Sequence, residues 1–320
     1  MKLNDKYRLL FLCVTIGLLF IISACGNKES SEAPDKQDKD TSSEVTLDSE
    51  KGEVTMPKEA KHVIAPYHED TLLALGITPV AKWAIGKSVQ GYLEPELKDV
   101  PSIEWNLPLE QVLNQDPDLI ILENNLDSYK GSYEDYNKIA PTYVMNKETT
   151  DNWQKQLETF GKLFGKEDKA KEVLKQYKDK VAKASEEVKD AIGDETAAVI
   201  WVSGDEYFVF EHNRHSAEVL YSELGVKVPA LIEELGDAET AWNPMSIEKL
   251  SELDADHVFL LAEKGESGVE TLNKSTVWQS TPAVKKGNVY HLQDPSNWTN
   301  QGLLASEKTI DDIVKALKEK

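Results

Sequence analysis

One sequence pattern occurs twice in this chain. Residues 109–122 read LEQVLNQDPDLIIL, and residues 247–260 read IEKLSELDADHVFL. In each copy an apolar residue precedes a glutamate, aspartates follow six and eight positions after that glutamate, and a hydrophobic segment comes next. Such a repeat predicts two halves that are built from the same supersecondary unit.

A weaker repeat lies upstream of each copy. Glu69 and Glu218 each stand seven residues before a glycine, Gly76 and Gly225. Each half therefore reads as strand, helix ending in glycine, strand, short helix and strand, and a last helix is predicted over Glu307 to Leu317. Strands are predicted at His62 to Ala65, Ile77 to Lys82, Leu119 to Leu122, Ala197 to Val202, Tyr207 to Phe210, His257 to Leu261 and Val289 to Leu292. This alternation predicts an α/β fold with two lobes, each a mainly parallel sheet flanked by helices.

Residues 151–192, between the two halves, have the apolar spacing of an amphipathic helix. Asp151 is the predicted N-cap and Gly193 the predicted stop, while Gly161 and Gly165 are positions where the helix bends or divides. A helix of this length would span about 60 Å. We expect one long α-helix that joins the lobes; the alternative is a surface layer of a single domain.

The N-terminus has the features of a lipoprotein signal peptide. A basic start leads into the apolar run Leu9 to Ile22, which is shorter than the about 20 residues of a membrane span. The run ends in Ile-Ser-Ala-Cys, which resembles a lipobox, so residues 1–25 are predicted to be a signal peptide with Cys25 as the acylated residue. The alternative is an ordinary signal peptide with a chance cysteine. The other cysteine, Cys13, lies within the run, so the mature chain would hold no disulfide.

Composition sets the remaining boundaries. Residues 26–44 are almost entirely polar or charged, which predicts a flexible tether. The N-terminal lobe is then predicted over residues 45–150 and the C-terminal lobe over residues 193–320. The formal net charge of −21 argues against nucleic-acid binding, which needs a basic surface.

The order of these motifs resembles the bacterial substrate-binding proteins for siderophores, haem and cobalamin, in which one long helix joins two lobes. The matching segments are the lipobox and residues 64–67, 75–80, 109–110, 117–121, 163–167, 246–250, 278–282 and 287–290. Within that family the chain is most similar to the ferric-hydroxamate-binding proteins of Gram-positive bacteria, through residues 138–142, 218–221 and 298–300.

The resemblance implies the binding protein of an ABC importer. It would hold a ferric siderophore between the lobes, as a monomer on the outer side of a Gram-positive cell membrane. Its lipid would be its only contact with the membrane. The partners would be an ABC permease and its ATPase. The chelator would hold the iron, so neither a cofactor nor a protein ligand to metal is expected.

The resemblance also implies one docking glutamate on each lobe, and the matching positions are Glu110 and Glu248. The repeat supports this independently, because equivalent acids on equivalent lobes suit a two-fold partner. The alternative role is stabilisation of a short helix by an acid near its N-terminus. Glu69 and Glu218 are the second choice for docking.

A small-molecule cleft needs aromatic walls and a few placed polar groups. We looked for these where the predicted strands end. The candidate ligand-binding residues are Tyr67, His68, Trp83, Asn125, Trp201, Arg214, His215, Trp242 and Trp298.

Arg214 would be the only arginine of the mature chain, because the other, Arg8, lies in the predicted signal peptide. Its planar fork of donors suits hydroxamate or carboxylate oxygens; the alternative is a chance survivor in a lysine-rich chain. In the related hydroxamate binders a Trp and an Arg stand just before the Glu of Glu-Val-Leu-Tyr. Here Arg214 lies one position earlier than expected with His215 in its place, and Asn213 stands where the Trp would be. A single arginine favours a ferric hydroxamate or hydroxamate–carboxylate over a triscatecholate.

The sequence also bears on other functions. Direct zinc or manganese binding needs clustered ligands, and of the six histidines only His212 and His215 are close in sequence. Haem binding would use His68 or a tyrosine as axial ligand. The sequence has no nucleophile elbow, no His-Glu-x-x-His and no phosphate-binding glycine loop, so an enzyme is not expected.

Overall fold

The computed structural model describes residues 43–239 and 241–319. The predictions for the signal peptide, for Cys25 and for residues 26–42 of the tether lie outside the described residues. Glu44, the last residue of the predicted tether, begins the first strand. No helix in the described part of the chain has the length and hydrophobicity needed to cross a bilayer.

The strands form four sheets. Their bounds are β1 Glu44–Ser49, β2 Gly52–Pro57, β3 Val63–Ile64, β4 Lys82–Ile85, β5 Ser88–Val89, β6 Ser102–Glu104, β7 Leu119–Leu122, β8 Thr142–Val144, β9 Ala197–Ser203, β10 Glu206–Val209, β11 His257–Ala262 and β12 Val289–Leu292. The first half of the chain forms an antiparallel β1-β2 hairpin and two three-stranded sheets, ordered β3-β7-β8 and β5-β4-β6. The second half forms one sheet, ordered β10-β9-β11-β12.

Helices connect and cover these sheets. Their bounds are α1 Glu69–Ala74, α2 Glu94–Leu97, α3 Leu109–Leu113, α4 Tyr133–Ile139, α5 Lys147–Asp151, α6 Trp153–Leu163, α7 Glu167–Ile192, α8 Ser216–Glu218, α9 Ala230–Leu235, α10 Ile247–Leu250, α11 Ser267–Lys274, α12 Pro282–Lys286 and α13 Leu303–Lys318. The predicted α/β fold with mainly parallel sheets flanked by helices is therefore confirmed.

The central strands of both halves are parallel and completely buried. β7 pairs in parallel with β3 and β8, and β11 pairs in parallel with β9 and β12. Every side chain of β7 and β11 is buried, as expected for parallel strands covered on both faces. β10 and β5 are antiparallel edges.

The predicted strand from Ile77 to Lys82 is wrong, since β4 begins only at Lys82. The Ile77 amide donates to the Leu72 carbonyl at 2.9 Å and so completes the end of α1. Pro79, which follows, has no amide hydrogen to give to a ladder. The strand therefore starts after this connection.

The sequence repeat has a structural cause. The Asp118 carboxylate precedes β7 and accepts from the amides of Lys61 (2.8 Å) and His62 (2.9 Å), just before β3. The Asp256 carboxylate precedes β11 and accepts from the Thr196 amide (3.0 Å), just before β9. In each half, the aspartate that ends the motif fixes the start of the neighbouring parallel strand.

The predicted helix over 151–192 consists of two helices, α6 and the 26-residue α7. The chain turns between them at Gly165, whose φ of +60° favours glycine. Gly161 is not the break. A Cβ there would lie 2.9 Å from the Cβ of Ala170, so this glycine lets the two helices pack closely.

The predicted ends of this segment had different outcomes. Gly193 is the C-cap of α7, as expected. The N-cap of α6 is Asn152 rather than Asp151, because the Asn152 side chain accepts from the Lys155 amide at 2.9 Å. Asp151 instead ends α5.

The helix α13 closes the fold and starts four residues earlier than predicted. It packs on α7 and touches α1. One cluster of buried apolar side chains runs from the first half, with Val63 and Leu72, through Tyr177 of α7 to Phe259 of β11. The two lobes and the long helix therefore share a continuous core.

Candidate functional site

A small aromatic cavity lies where the strands of the first half end. Tyr67 follows β3, Trp83 lies in β4, Trp105 follows β6 and Glu123 follows β7. Parallel strands bring their carboxyl ends to the same edge, which places Tyr67 and Glu123 together at the end of one sheet and Trp83 and Trp105 together at the end of the other. We call this cavity of about 150 Å³ the N-lobe pocket, and it is lined by Pro66, Tyr67, Trp83, Trp105, Glu123, Asn125, Ser128 and Tyr129.

Tyr67 and Trp83 form one wall of the pocket. Their ring centroids are 5.6 Å apart with an interplanar angle of 62°, an edge-to-face contact. Burial, together with the nearby Glu123 and Glu69 carboxylates, raises the pKa of Tyr67 to about 12. The phenol therefore stays neutral at physiological pH and is able to donate a hydrogen bond.

Glu123 carries the negative charge of the pocket. Burial opposes its ionisation, but its hydrogen bonds with His68 and Asn125 prevail and lower the pKa of this carboxyl below its usual value. The His68 Nε2 atom lies 3.1 Å from Glu123 Oε1, and the His68 ring also contacts the edge of Phe160. His68 is thus largely buried behind the pocket and holds its carboxylate.

Glu69, beneath the pocket, is completely buried. Its Oε1 atom accepts from the Trp83 amide at 2.6 Å, whereas its Oε2 atom has no hydrogen-bond partner among the described residues. Burial raises the pKa of this carboxyl to about 7, although the Trp83 amide partly opposes the shift. A buried glutamate cannot reach a protein partner, so Glu69 is excluded as the second-choice docking residue.

Aromatic rings also gather at one side of the C-terminal sheet. The Trp242 ring centroid lies 5.3 Å from that of Trp201, 5.9 Å from Phe208 and 5.0 Å from Phe210. His215 stacks on Trp242 at 5.7 Å. We call these five residues the C-lobe cluster.

Arg214 lies against the C-lobe cluster but is engaged within the protein. Its guanidinium pairs with both carboxylate oxygens of Glu211. It also donates to the carbonyls of Glu239 (2.9 Å) and Ala241 (3.2 Å), and its Cζ atom lies 4.3 Å from the Trp242 ring centroid. The side chain is 4% exposed. Its role in ligand binding stays a prediction.

His215 adds no positive charge to this region. Burial, and then the adjacent Arg214 guanidinium, lower its pKa to about 4. Because of this low pKa, the imidazole is neutral at physiological pH and presents a polar but uncharged ring. The backbone of His215 is in the left-handed region, with φ of +44°.

The expectation that Trp298 lines the ligand site is wrong. Trp298 has no exposed surface; its ring packs on Phe259 and its Nε1 atom donates to Asp312 at 3.2 Å. The indole fills the core between β11 and α13. The sequence signal was misleading because a tryptophan in a loop after a strand has the same appearance in a cleft and in a core.

The two proposed docking acids are in equivalent places. Glu110 is the second residue of α3 and Glu248 the second residue of α10, and both are exposed. The short helices follow from the repeat, since each precedes the aspartate that fixes a parallel strand pair. The docking function of these glutamates stays a prediction.

A larger cavity of about 640 Å³ lies at the carboxyl ends of β11 and β12. Its wall combines acids with Lys264 and Lys274, and His291 is the one ring among its lining residues, so it lacks the aromatic walls of the N-lobe pocket. Across the described residues, no group of three or more His, Cys, Asp or Glu side chains is arranged to hold a metal ion.

Trp105, Glu123 and Tyr129 were not predicted as site residues. Trp105 was missed because the three-residue strand β6 has too weak a pattern to be recognised. Glu123 directly follows the strand β7, whose bounds were predicted correctly. A search for polar residues at strand ends could therefore have identified it. Tyr129 joins the site only through tertiary contact, where its hydroxyl accepts from the Glu123 amide at 3.2 Å.

Comparisons with known proteins agree with this architecture. The chain is 29% identical over 307 residues to the iron(3+)-hydroxamate-binding protein FhuD of Bacillus subtilis, which covers 94% of each chain. It is 27% identical over 322 residues to the iron(3+)-hydroxamate-binding protein YxeB of the same organism, covering 98% of this chain and 97% of that protein.

The fold also has solved counterparts. The FhuD protein from S. pseudintermedius superposes with a TM-score of 0.71, covering 86% of this chain and 98% of that chain at 23% identity. The sequence pattern of the periplasmic binding protein family matches residues 65–295, which is more than half of the chain. With its two α/β lobes, its long connecting helix and this match, the chain belongs to the periplasmic binding protein family.

Proposed function

We propose that this chain is the extracytoplasmic substrate-binding protein of an ABC importer and that it captures a ferric siderophore between its lobes. The observation that carries the proposal is the aromatic N-lobe pocket at the carboxyl ends of parallel strands, in a chain whose relatives are named for iron(3+)-hydroxamate binding. Aromatic walls with a few polar groups suit a compact chelate with an apolar surface. The ligand class we favour is a ferric hydroxamate.

In this function the protein binds and releases its ligand without changing it chemically. The siderophore wraps the iron, so the protein recognises the outside of the complex. Tyr67 and Trp83 would contact the chelate from one lobe, and Trp201 and Trp242 from the other.

Calorimetric titration tests these contacts. Residues 26–320 would be titrated with a ferric trihydroxamate, and separately with the same chelator without iron. We expect saturable binding of the ferric complex that weakens at least about tenfold in Trp83→Ala, or about 1.4 kcal/mol. The matched control is Val277→Ala, an exposed apolar residue outside both aromatic groups. Equal affinity of Trp83→Ala and the control would contradict the proposed site.

Delivery requires a membrane partner. We propose that Glu110 and Glu248, one on each lobe, contact the ABC permease, while the ATPase acts on the inner side. The exposure of both acids at matching helix positions supports this assignment. The binding protein would act as a monomer.

The N-terminal sequence supports a lipid anchor at Cys25 on the outer face of the membrane. Cys25→Ala should release the protein into the culture medium, whereas Cys13→Ala should leave it on the membrane. Fractionation followed by immunoblotting measures both. A membrane-bound Cys25→Ala protein would contradict the anchor.

A further inference from the structure

The N-lobe pocket carries a negative charge that the arginine beside the C-lobe cluster does not compensate. The N-lobe pocket contains the Glu123 carboxylate, and none of the described residues that line it is a lysine or an arginine. The basic neighbour of this carboxylate is His68, which lies behind the pocket with its Nε2 atom 3.1 Å from one carboxylate oxygen. Glu123 is 23% exposed, so its charge is accessible to a ligand. Burial opposes its ionisation, but its pairing with His68 and its hydrogen bond with Asn125 lower the pKa of this carboxyl below its usual value.

Arg214 does not offset this charge. A guanidinium that pairs with both oxygens of Glu211 and also donates to two main-chain carbonyls has most of its donors engaged inside its own lobe. Glu211 is itself only 13% exposed, so the pair is neutral and largely shielded from solvent. Displacing this pair to bind an anionic ligand would leave a buried carboxylate without a partner, which is costly.

The aromatic rings of the N-lobe pocket suit a cation. Tyr67, Trp83, Trp105 and Tyr129 line the space beside Glu123. The π-faces of such rings attract ammonium groups, and a carboxylate adds a full opposite charge. Trp105 is 38% exposed, so its ring is available to cover a ligand group.

Size limits what the pocket holds. A volume of about 150 Å³ lies below the range of about 300–1,000 Å³ that is usual for sites enclosing a whole small molecule. The pocket therefore suits one arm of a chelate rather than its metal-containing body.

We infer that the N-lobe pocket is a subsite for a positively charged arm of the ferric siderophore. The preferred ligand is then a ferric hydroxamate with a terminal ammonium group, and anionic chelates such as carboxylate-rich or triscatecholate complexes are disfavoured. This inference rests on the proposed function and specifies its substrate class.

Two ferric complexes that differ only in charge test it. One is a linear ferric trihydroxamate with a terminal primary amine, and the other is the same complex with that amine acetylated. Calorimetry at pH 7.5 would compare both in the wild type, in Glu123→Gln and in Trp105→Leu. Glu134→Gln, an exposed glutamate on α4, is the matched control.

We expect the wild type and Glu134→Gln to bind the ammonium complex about tenfold more tightly than the acetylated one, or about 1.4 kcal/mol. This ratio should fall towards one in Glu123→Gln and decrease in Trp105→Leu, which keeps an apolar side chain but has no aromatic ring. Equal binding of both complexes by the wild type, or an unchanged ratio in both variants, would overturn the subsite. If neither complex binds, the proposed function itself fails, so the two failures are distinguishable.

Discussion

The Asp70 carboxylate, on α1 of the N-terminal lobe, accepts a hydrogen bond from the Leu304 amide at 3.0 Å, at the start of the last helix. It also accepts from the Ala305 amide (2.9 Å) and from the Tyr92 hydroxyl (3.1 Å). The N-cap residue of α13, Gly302, has no side chain of its own for this role, and a Cβ there would overlap Asp70. A residue 234 positions away in the sequence therefore caps the closing helix.

Removing this cap should destabilise the fold. Asp70→Ala leaves the buried Ala305 amide and the Tyr92 hydroxyl without their acceptor, so we expect the free energy of unfolding to fall by about 2 kcal/mol. Urea unfolding at pH 7.5 measures the change. Asp311→Ala removes an exposed acid of α13 that pairs with Lys180 of α7; it is the control and should change stability by less than about 0.5 kcal/mol. Similar losses in the two variants would argue against the cap.

Glu69 should make stability depend on pH. Burial raises its pKa from an ordinary value of 4.5 to about 7, so the folded state binds a proton more tightly than the unfolded state does. Its contribution is therefore complete below about pH 4.5 and is lost as the pH rises to about 7. Glu69→Gln keeps an acceptor for the Trp83 amide but does not titrate.

Urea unfolding of both proteins between pH 4.5 and 7.5 tests this sign. The wild type should lose more stability than Glu69→Gln as the pH rises across this range. Asp70, whose pKa burial raises to about 6, acts in the same direction in both proteins, so the difference isolates Glu69. Parallel pH profiles would show that the Glu69 carboxyl is not shifted.

Arg214 should have a structural role that is measurable without ligand. Arg214→Ala leaves the largely buried Glu211 carboxylate unpaired, and we expect a loss of about 3 kcal/mol of folding stability. The double variant Arg214→Ala/Glu211→Ala should cost less than the sum of the single variants, because neither charge is then left alone. Additive losses in thermal or urea unfolding would show that the pair is not coupled.

The docking glutamates should separate capture from delivery. Glu110→Ala and Glu248→Ala change exposed positions outside the N-lobe pocket, so the affinity for the ferric siderophore should stay within about twofold of the wild type, or about 0.4 kcal/mol. Uptake of labelled iron by cells that depend on this protein should fall strongly, and furthest in the double variant. Glu172→Ala, an exposed acid on α7, is the control. Normal uptake by the double variant would contradict the docking role.

The framework of the fold was predictable from sequence because its determinants are local. The strands β7 and β12 have the predicted bounds, and β9 and β11 each extend one residue further. The paired motifs were detectable because Asp118 and Asp256 perform the same structural task in each half. Gly76 and Gly225 both have positive φ, which fits the weaker repeat.

The site was less predictable because it depends on tertiary contacts. Tyr67 was identified because it follows the recognisable strand β3. Trp83 was identified although its strand was misplaced, since it was expected just after a strand and lies in β4 instead. The engagement of Arg214 by Glu211, the burial of Trp298 against Phe259 and the contribution of Trp105 all depend on packing between distant segments. Residue type alone does not distinguish a ligand-binding arginine from one that holds a loop.

The most direct test of siderophore capture is tryptophan fluorescence of residues 26–320 during titration with four ligands: a ferric trihydroxamate, a ferric triscatecholate, haemin and zinc. We predict saturable quenching by the hydroxamate complex with a Kd below about 1 μM, equivalent to about −8 kcal/mol, and weaker responses to the other three. Selective binding of the triscatecholate or of haemin would contradict the hydroxamate assignment. Binding of zinc alone, or no binding at all, would contradict siderophore capture itself.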